Sequence, residues 1–166
     1  MWFDVEKRVQ IGVAATRPPD AMTLQPLAVR SDASGGKPWL ELVVDRAGYG
    51  PQGTITGRVI VNNPGGKNIR KVDLSLDFLL RKEARGYVDE PRTAVFRQEL
   101  PWAGTRQEAP PIPFAHPFQV GQPQCPSFVG QHCAARWILA ANLDIAWGFD
   151  VATSIEVQLA GVQPPA

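Results

Sequence analysis

The sequence predicts an all-β protein, an antiparallel β-sandwich of about seven strands, and three observations predict it. Apolar and polar residues alternate with a period of two in most segments after Trp39, which is typical of strands with one buried face. The 166 residues include 16 prolines and 15 glycines, a content that favours many short strands joined by turns. No long segment of the sequence has a clear helical period.

The first 38 residues are predicted to be an arm and linker. Residues 2–13 alternate loosely and fit an opening strand or a short helix equally well. Residues 14–38 have linker composition, with prolines at its start and a Ser/Gly-rich stretch at its end. We therefore expect the sandwich over residues 39–160 and a frayed tail over 161–166.

Seven segments alternate well enough to be predicted as strands. The clearest one places Val72, Leu74 and Leu76 on one face and Asp73 and Asp77 on the other, which we expect to be the solvated face. Glycine, proline and asparagine mark the turns between the segments. The predicted strands cover residues 39–45, 54–61, 72–80, 94–102, 112–120, 137–145 and 151–159.

Four segments resemble the arrestin-like family, in the order in which that family uses them. They are the turn and strand Tyr49-Gly50-Pro51-Gln52-Gly53 to Val61, the strand 69–80, the passage Ile112-Pro113-Phe114 with Gln124-Cys125-Pro126-Ser127, and the closing pair 137–145 and 150–157. The phrase Leu143-Asp144-Ile145 with Asp150 is most similar to the bacterial sporulation-control branch. The resemblance covers one lobe, where such proteins generally carry two. It implies an immunoglobulin-like, arrestin-type sandwich and an adaptor or scaffold role.

Composition and charge argue against several classes of partner. A formal net charge of +1 provides no overall field to attract nucleic acid. No window contains the roughly 18 apolar residues of a membrane-spanning helix. Asp4 and Glu6 stand where a secretory signal would carry bases, so the sequence predicts a cytoplasmic protein.

The sequence predicts no metal site and no cofactor. Cys125, His132 and Cys133 are three potential soft ligands, but structural zinc requires four and no fourth is evident. We expect two loop thiols here, and the sequence leaves open whether they form a disulfide. The turns at Gly35-Gly36-Lys37 and Gly65-Gly66-Lys67 lack the spacing of a phosphate-binding loop.

The sequence also predicts no catalytic residues. It contains no nucleophile elbow, no phosphate loop and no metalloprotease motif. His116 has no nucleophile beside it, and we expect a hydrogen-bonded histidine on a partly buried strand. Asp150 precedes the last predicted strand, where we expect it to shape the turn.

A protein-interaction module is therefore the predicted function, with residues 112–120 as the candidate interaction edge. Pro113 and Pro117 cannot donate to a sheet, so this segment is predicted to be an edge strand to which a partner strand could add. Its candidate residues are Ile112, Phe114, His116, Phe118 and Val120. The alternative is a structural subunit that docks through its N-terminal arm, and a homo-oligomer is left open.

Tryptophans are the other candidates for a binding surface, since exposed tryptophan often anchors interfaces. Trp137 lies on an alternating apolar face and is predicted to be core. Trp102 and Trp147 stand next to turns, where we expect burial but exposure is the alternative.

Overall fold

A computed structural model of the chain describes residues 24–50, 52–102, 104–107, 109–117 and 125–160. Within these ranges it contains eleven strands and a short 3-10 turn at Ser34–Gly36. The strands are β1 (Leu27–Arg30), β2 (Trp39–Val44), β3 (Gly48–Tyr49), β4 (Thr54–Asn62), β5 (Ile69–Ala84), β6 (Tyr87–Asp89), β7 (Arg92–Leu100), β8 (Ile112–Pro117), β9 (Phe128–Val129), β10 (Cys133–Ile145) and β11 (Val151–Leu159). Among the described residues, no helix has the length and apolar content needed to span a membrane.

The strands form two sheets, which confirms the predicted sandwich. The first sheet has the order β1-β2-β4-β8 and is antiparallel throughout. The second has the order β3-β11-β10-β5-β6, with β7 paired to β5 and β9 paired to β10. Its pairs are antiparallel except for the short parallel contact between β3 and β11. The seven predicted strands correspond to β2, β4, β5, β7, β8, β10 and β11.

The core lies between the inward faces of the two sheets. Period-two alternation produces it directly, since every second side chain of β4, β10 and β11 points inward. Trp137 belongs to this core, as predicted, and its ring lies 5.0 Å from that of Phe78. The completely buried side chains include Leu40, Leu42, Ile55, Leu74, Leu76, Leu139 and Leu143.

Asp77 departs from the prediction, because it is buried rather than solvated, with only 2% of its surface exposed. The register between β5 and β7 shifts between Leu76 and Asp77, where the regular ladder is interrupted. At this interruption Arg92 pairs with Asp77, and its Nε donates to Asp77 Oδ2 at 2.8 Å. A buried carboxylate requires such a partner, since its desolvation is costly.

Four short strands were not expected from the sequence: β1, β3, β6 and β9. β1 pairs with β2 along its whole length, so Leu27–Arg30 is part of the first sheet although its composition resembles a linker. β6 continues β5 through the two-residue turn Arg85–Gly86, whose φ angles of 52° and 78° are those of a tight hairpin turn. Residues 1–23 and the tail 161–166 lie outside the described residues.

Candidate interaction surface at the loop end

Four connections meet at one end of the sandwich, which we call the loop end: residues 31–38, 63–68, 101–111 and 146–150. Backbone hydrogen bonds join them in pairs. Ala146 N donates to Asn68 O at 2.9 Å, and Asn63 N donates to Gln107 O at 3.2 Å. The first two connections also touch, because a Cβ at Gly65 would lie 3.6 Å from Gly36 O. Loops gathered on a rigid sheet scaffold are a common location for binding residues.

Asn63 holds the loop end together. It is completely buried, with 0% exposure, although it is polar. Its Nδ2 donates to Lys67 O at 2.7 Å and to Arg106 O at 3.3 Å. Its Oδ1 accepts from Lys67 N at 2.9 Å. One side chain thus satisfies backbone groups of its own connection and of a second connection, whose Arg106 is 43 residues further along the chain, and this fixes the shape of both.

Trp147 and Phe149 project from the connection between β10 and β11, the Trp147 loop (residues 146–150). Trp147 is fully exposed and Phe149 is 96% exposed. Trp147 has a φ of 59°, a left-handed conformation that bulky residues rarely adopt. Trp147 was predicted to be buried, and that prediction is wrong. In the described part of the chain, no second layer lies over this tight turn beyond the edge of the sheets, so its side chains stay exposed.

Short-range contacts hold the Trp147 loop in place. Gly148 N donates to Ile145 O at 3.2 Å, which closes the turn. Asp150 Oδ1 accepts from Ile145 N at 3.4 Å, so this carboxylate shapes the turn as predicted. A Cβ at Gly148 would lie 3.0 Å from Ile145 Cγ2, which leaves little room for a larger residue. The loop therefore presents its two aromatic rings from a closed backbone.

A groove of about 550 Å³ runs beside the Trp147 loop, within the size range of ligand pockets. Its walls are formed by the connection 31–38, by Lys67 and by the Trp147 loop with the start of β11. The charged side chains that line it are Asp32, Lys37, Lys67 and Asp150. Asp150 is engaged with Ile145 N, and Asp32 also has a partner. Among the described residues, no carboxylate forms an ion pair with Lys37 or Lys67.

The candidate edge predicted at residues 112–120 is β8, the end strand of the first sheet's order. Its larger side chains point inward, and Ile112 and Phe114 are each only 6% exposed and belong to the core. His116 is half-buried, and its ring stacks on Phe96 of β7 with 4.0 Å between centroids. Phe118 and Val120 lie outside the described residues.

His116 thus closes one side of the sandwich by contacting the other sheet. The expected hydrogen bond is not present within the described residues, where stacking on Phe96 takes its place. Burial lowers the pKa of His116, because a charged imidazolium would lose hydration there. A neutral ring packed on a phenyl ring is a structural role.

The outer edge of β8, which no strand of the described residues pairs with, carries few hydrogen-bonding groups. Residues 112, 114 and 116 pair with Val59, Gly57 and Ile55 of β4. Because proline has no N–H, the reciprocal hydrogen bonds to β4 must come from these three residues. Pro113, Ala115 and Pro117 then face the free edge, where Ala115 is the sole N–H donor among the three. Prolines in this position protect an edge from strand addition.

The remaining candidate residues are Cys125, Cys133 and Asp144, and their surroundings indicate structural roles. Cys125 and Cys133 are free thiols, and burial raises the pKa of Cys125. In the described part of the chain, no cluster of three or more histidine, cysteine or acidic side chains is arranged to hold a metal ion. Asp144 accepts from Arg70 Nε at 2.8 Å, so it joins β10 to β5.

Solved structures with the same arrangement are known. Spo0M, a sporulation control protein from Bacillus subtilis, has a TM-score of 0.60 and 16% sequence identity, over 77% of this chain and 51% of the Spo0M chain. Squid arrestin has a TM-score of 0.54 and 11% identity, over 80% of this chain and 52% of the arrestin chain. The chain has the arrestin fold.

The predicted resemblance to arrestin-like and sporulation-control proteins is confirmed at the level of the fold. This chain spans about half the length of each of these two structures. No protein-family model matches the sequence, and no curated protein matches it at a significant level. At such low identity the likeness carries no information about partners.

Sequence reasoning missed Asn63 and underrated the Trp147 loop. The sequence contained a signal for the Trp147 loop, since Trp147-Gly148-Phe149-Asp150 places two large aromatic residues in a turn between two strands. It contained no signal for the role of Asn63, because this residue stands in a turn segment where asparagine is common. Its role depends on Arg106 O, which only the folded chain brings close.

Proposed function

We propose that this chain is a non-catalytic protein-interaction module, an adaptor or scaffold, and that it contacts its partner through the Trp147 loop. The observation that carries the proposal is the exposure of Trp147 and Phe149 on one closed turn. Tryptophan is among the residues most enriched in interface hot spots, and a soluble protein seldom exposes two large aromatic rings side by side.

The surroundings of the loop support an interface. The groove beside it supplies a concave surface, and Lys37 and Lys67 supply polar groups to its lining. Protein-binding patches likewise combine apolar contact area with polar groups. The fold itself contributes a rigid support, since Asn63 and the turn at Ile145 hold the neighbouring connections in place.

A non-catalytic role is part of the proposal, and the described titratable groups support it. His116 stacks on Phe96, Asp77 is paired with Arg92, and Asp144 is paired with Arg70. Catalysis would require a general acid, base or nucleophile within reach of one another in a cleft. These groups instead join strands. The cytoplasmic location predicted from the sequence stays a prediction.

Site-specific photocrosslinking tests the proposal. A photoreactive phenylalanine analogue at position 149 should yield a discrete adduct in cells, and mass spectrometry would identify the partner. The same analogue at Val129, which is 84% exposed but lies on β9, is the matched control and should yield no such adduct.

The affinity for the purified partner then tests whether Trp147 and Phe149 form the contact. Trp147→Ala and Phe149→Ala should each weaken binding by about 30-fold or more, the effect of a hot spot of about 2 kcal/mol. Val129→Ala should leave affinity unchanged. Unaltered affinity in the Trp147→Ala/Phe149→Ala double variant would rule out this loop as the contact surface.

The edge at β8 remains a second proposed contact surface, on the strength of its terminal position in the first sheet. Binding there would use exposed positions such as Pro113 and Ala115, since Ile112 and Phe114 point into the core. Ala115→Lys would test it with little risk to folding. Loss of the crosslinked partner with this variant, and retention with Trp147→Ala, would move the interface to β8.

A further inference from the structure

We infer that the Trp147 loop docks into the neighbouring groove of a second copy of this chain, so that two copies form a two-fold symmetric dimer in which each loop occupies the other copy's groove. This inference rests on the proposed function of the Trp147 loop as a protein-contact surface. It adds the identity of one partner and the way in which that partner is held.

The placement of the loop beside the groove is the first argument, because a projection and a recess lie side by side on one surface. Trp147 and Phe149 project from a closed turn, and the same turn forms one wall of the groove of about 550 Å³. A two-fold axis that passes between a projection and a recess brings each projection opposite the recess of the other copy. One surface then serves both copies, and the pair closes on itself.

The charges of the groove are divided in a way that fits a second copy. Residues 146–150 carry one charge, that of Asp150. The rest of the lining carries Lys37, Lys67 and Asp32, a formal charge of +1. A second copy's loop therefore brings two aromatic rings and one carboxylate to a lining with one excess positive charge. The groove as a whole has no net charge and selects neither a cation nor an anion, whereas a copy of itself offers both signs in equal number.

The area available at this surface is sufficient for a stable dimer. An aromatic side chain buries about 150–250 Å² when it is covered, so the two rings of each copy give about 600–1,000 Å² in the dimer. The groove surfaces that cover these rings lose a comparable area. The interface then reaches about 1,200–2,000 Å², which is the size of a standard specific interface.

The loop is ordered before a second copy arrives, which lowers the cost of docking. Gly148 N and Ile145 O close the turn, and Asp150 accepts from Ile145 N. Trp147 is held at a φ of 59°, a conformation that a bulky residue retains only where its surroundings impose it. A segment that is already fixed loses less conformational entropy on binding than a flexible one does.

Dimer formation makes the exposure of the loop depend on protein concentration. Below the dissociation constant of the dimer the chain is a monomer with exposed rings, and above it the rings are covered. Any other partner of the loop then competes with a second copy, so its apparent affinity falls as the protein concentration rises. Unfolding measured at dilute protein concentration reports on the monomer alone.

Sedimentation analysis of the whole chain over a series of concentrations tests the inference. The native chain should pass from monomer to dimer as its concentration rises. Trp147→Ala/Phe149→Ala should raise the dissociation constant of the dimer by about 100-fold or more, because each lost ring acts in both copies. Val129→Ala is the matched control and should leave the dissociation constant unchanged, since Val129 is exposed on β9.

A variant that blocks the groove tests the other half of the contact. Ala152 lines the groove and is exposed on β11, so Ala152→Arg should obstruct docking while leaving both rings in place. The dissociation constant should again rise by about 100-fold, through steric exclusion. Ser154→Arg is the matched control, because Ser154 is exposed on the same face of the same strand but lies outside the groove.

Mixing the two deficient variants distinguishes a mutual exchange of loops from other modes of association. Trp147→Ala/Phe149→Ala keeps an open groove, and Ala152→Arg keeps both rings. A mixed dimer therefore retains one intact contact between a loop and a groove, which neither variant forms with itself. The mixture should contain more dimer than either variant alone at the same total concentration, and a fluorescent label on one variant would identify the mixed species.

Three outcomes would overturn the inference. The first is a chain that stays monomeric at every concentration, including one that cosediments with phosphatidylcholine vesicles only when both rings are present, which would assign the loop to a lipid surface. The second is a dimer whose dissociation constant neither the ring variant nor Ala152→Arg changes. The third is a mixture of these variants that recovers no dimer, which would mean that the rings do not enter the groove.

The dimer and the adaptor function fail separately. A monomeric chain that forms an adduct with another protein from position 149 would support the adaptor function and refute the dimer. A dimer that meets all three expectations, with position 149 crosslinking only to a second copy, would support the inference and refute a separate adaptor partner at this loop.

Discussion

Strand β8 and the Trp147 loop both carry large apolar side chains, but β8 buries them while the loop exposes them. In β8 the alternation directs Ile112 and Phe114 into the core and leaves prolines at the free edge. In the loop, Trp147 and Phe149 stand beyond the last paired residues of β10 and β11, where no layer formed by the described residues covers them. Packing in the core thus accounts for an apolar residue in a strand. It does not account for an apolar residue that a tight turn exposes, so that residue needs another explanation.

The largest effect on stability is expected at Phe114 of β8, the strand that buries its apolar side chains. Phe114→Ala should lower the free energy of unfolding by about 3–5 kcal/mol, because it removes a core ring and leaves a cavity. Urea denaturation would measure the change. Ala115→Ser on the same strand is the control, and should stay within about 0.5 kcal/mol because Ala115 is exposed. Equal stability of the two variants would contradict the placement of β8.

A smaller loss is expected at Asn63, which links the two regions by shaping the loop end. Asn63→Ala should destabilise the protein by about 1–3 kcal/mol, because backbone groups of Lys67 and Arg106 lose their partner. Thermal or urea unfolding would show it, with Asn68→Ala as control, since Asn68 is exposed. A neutral Asn63→Ala would mean that water replaces the side chain at no cost.

The pH dependence at His116 should be smaller still. Burial lowers the folded-state pKa of His116, so the unfolded chain binds a proton more readily. The native state should therefore lose stability as pH falls below about 6.5, the pKa of an unburied histidine, and show no contribution from this group above it. His116→Phe should lack this part of the slope in urea unfolding between pH 7.5 and 5. An exposed control, His132→Gln, should retain it.

The smallest effect on stability is expected at the Trp147 loop, which exposes its apolar side chains. Trp147→Ala and Phe149→Ala should each change the free energy of unfolding by no more than about 0.5 kcal/mol, since neither ring contributes to the core. Trp147→Gly should even stabilise the turn slightly, because glycine accepts the positive φ without strain. A loss of several kcal/mol on removing either ring would show that the rings are packed in the folded protein.

Much of the fold could be predicted from the sequence because period-two alternation is a local property. The seven longer strands are each recognisable from their own residues, and the order of four segments was enough to indicate the arrestin-type lobe. The four short strands escaped prediction, since two to four residues are too few to show a period. β1 in particular was hidden by the linker-like composition around it.

Burial of polar groups and exposure of apolar ones were decided only by the tertiary structure. Asp77 follows the alternation of its strand, yet it is buried and paired with Arg92 at the point where the register against β7 shifts. Asn63 looks like any turn residue until Gln107 and Arg106 arrive from a distant connection. Trp147 was expected to be buried, with exposure as the alternative, and the folded chain leaves it exposed. Alternation along one strand determines which faces are apolar, but what lies opposite each face depends on contacts between distant segments, and those exist only once the two sheets have packed.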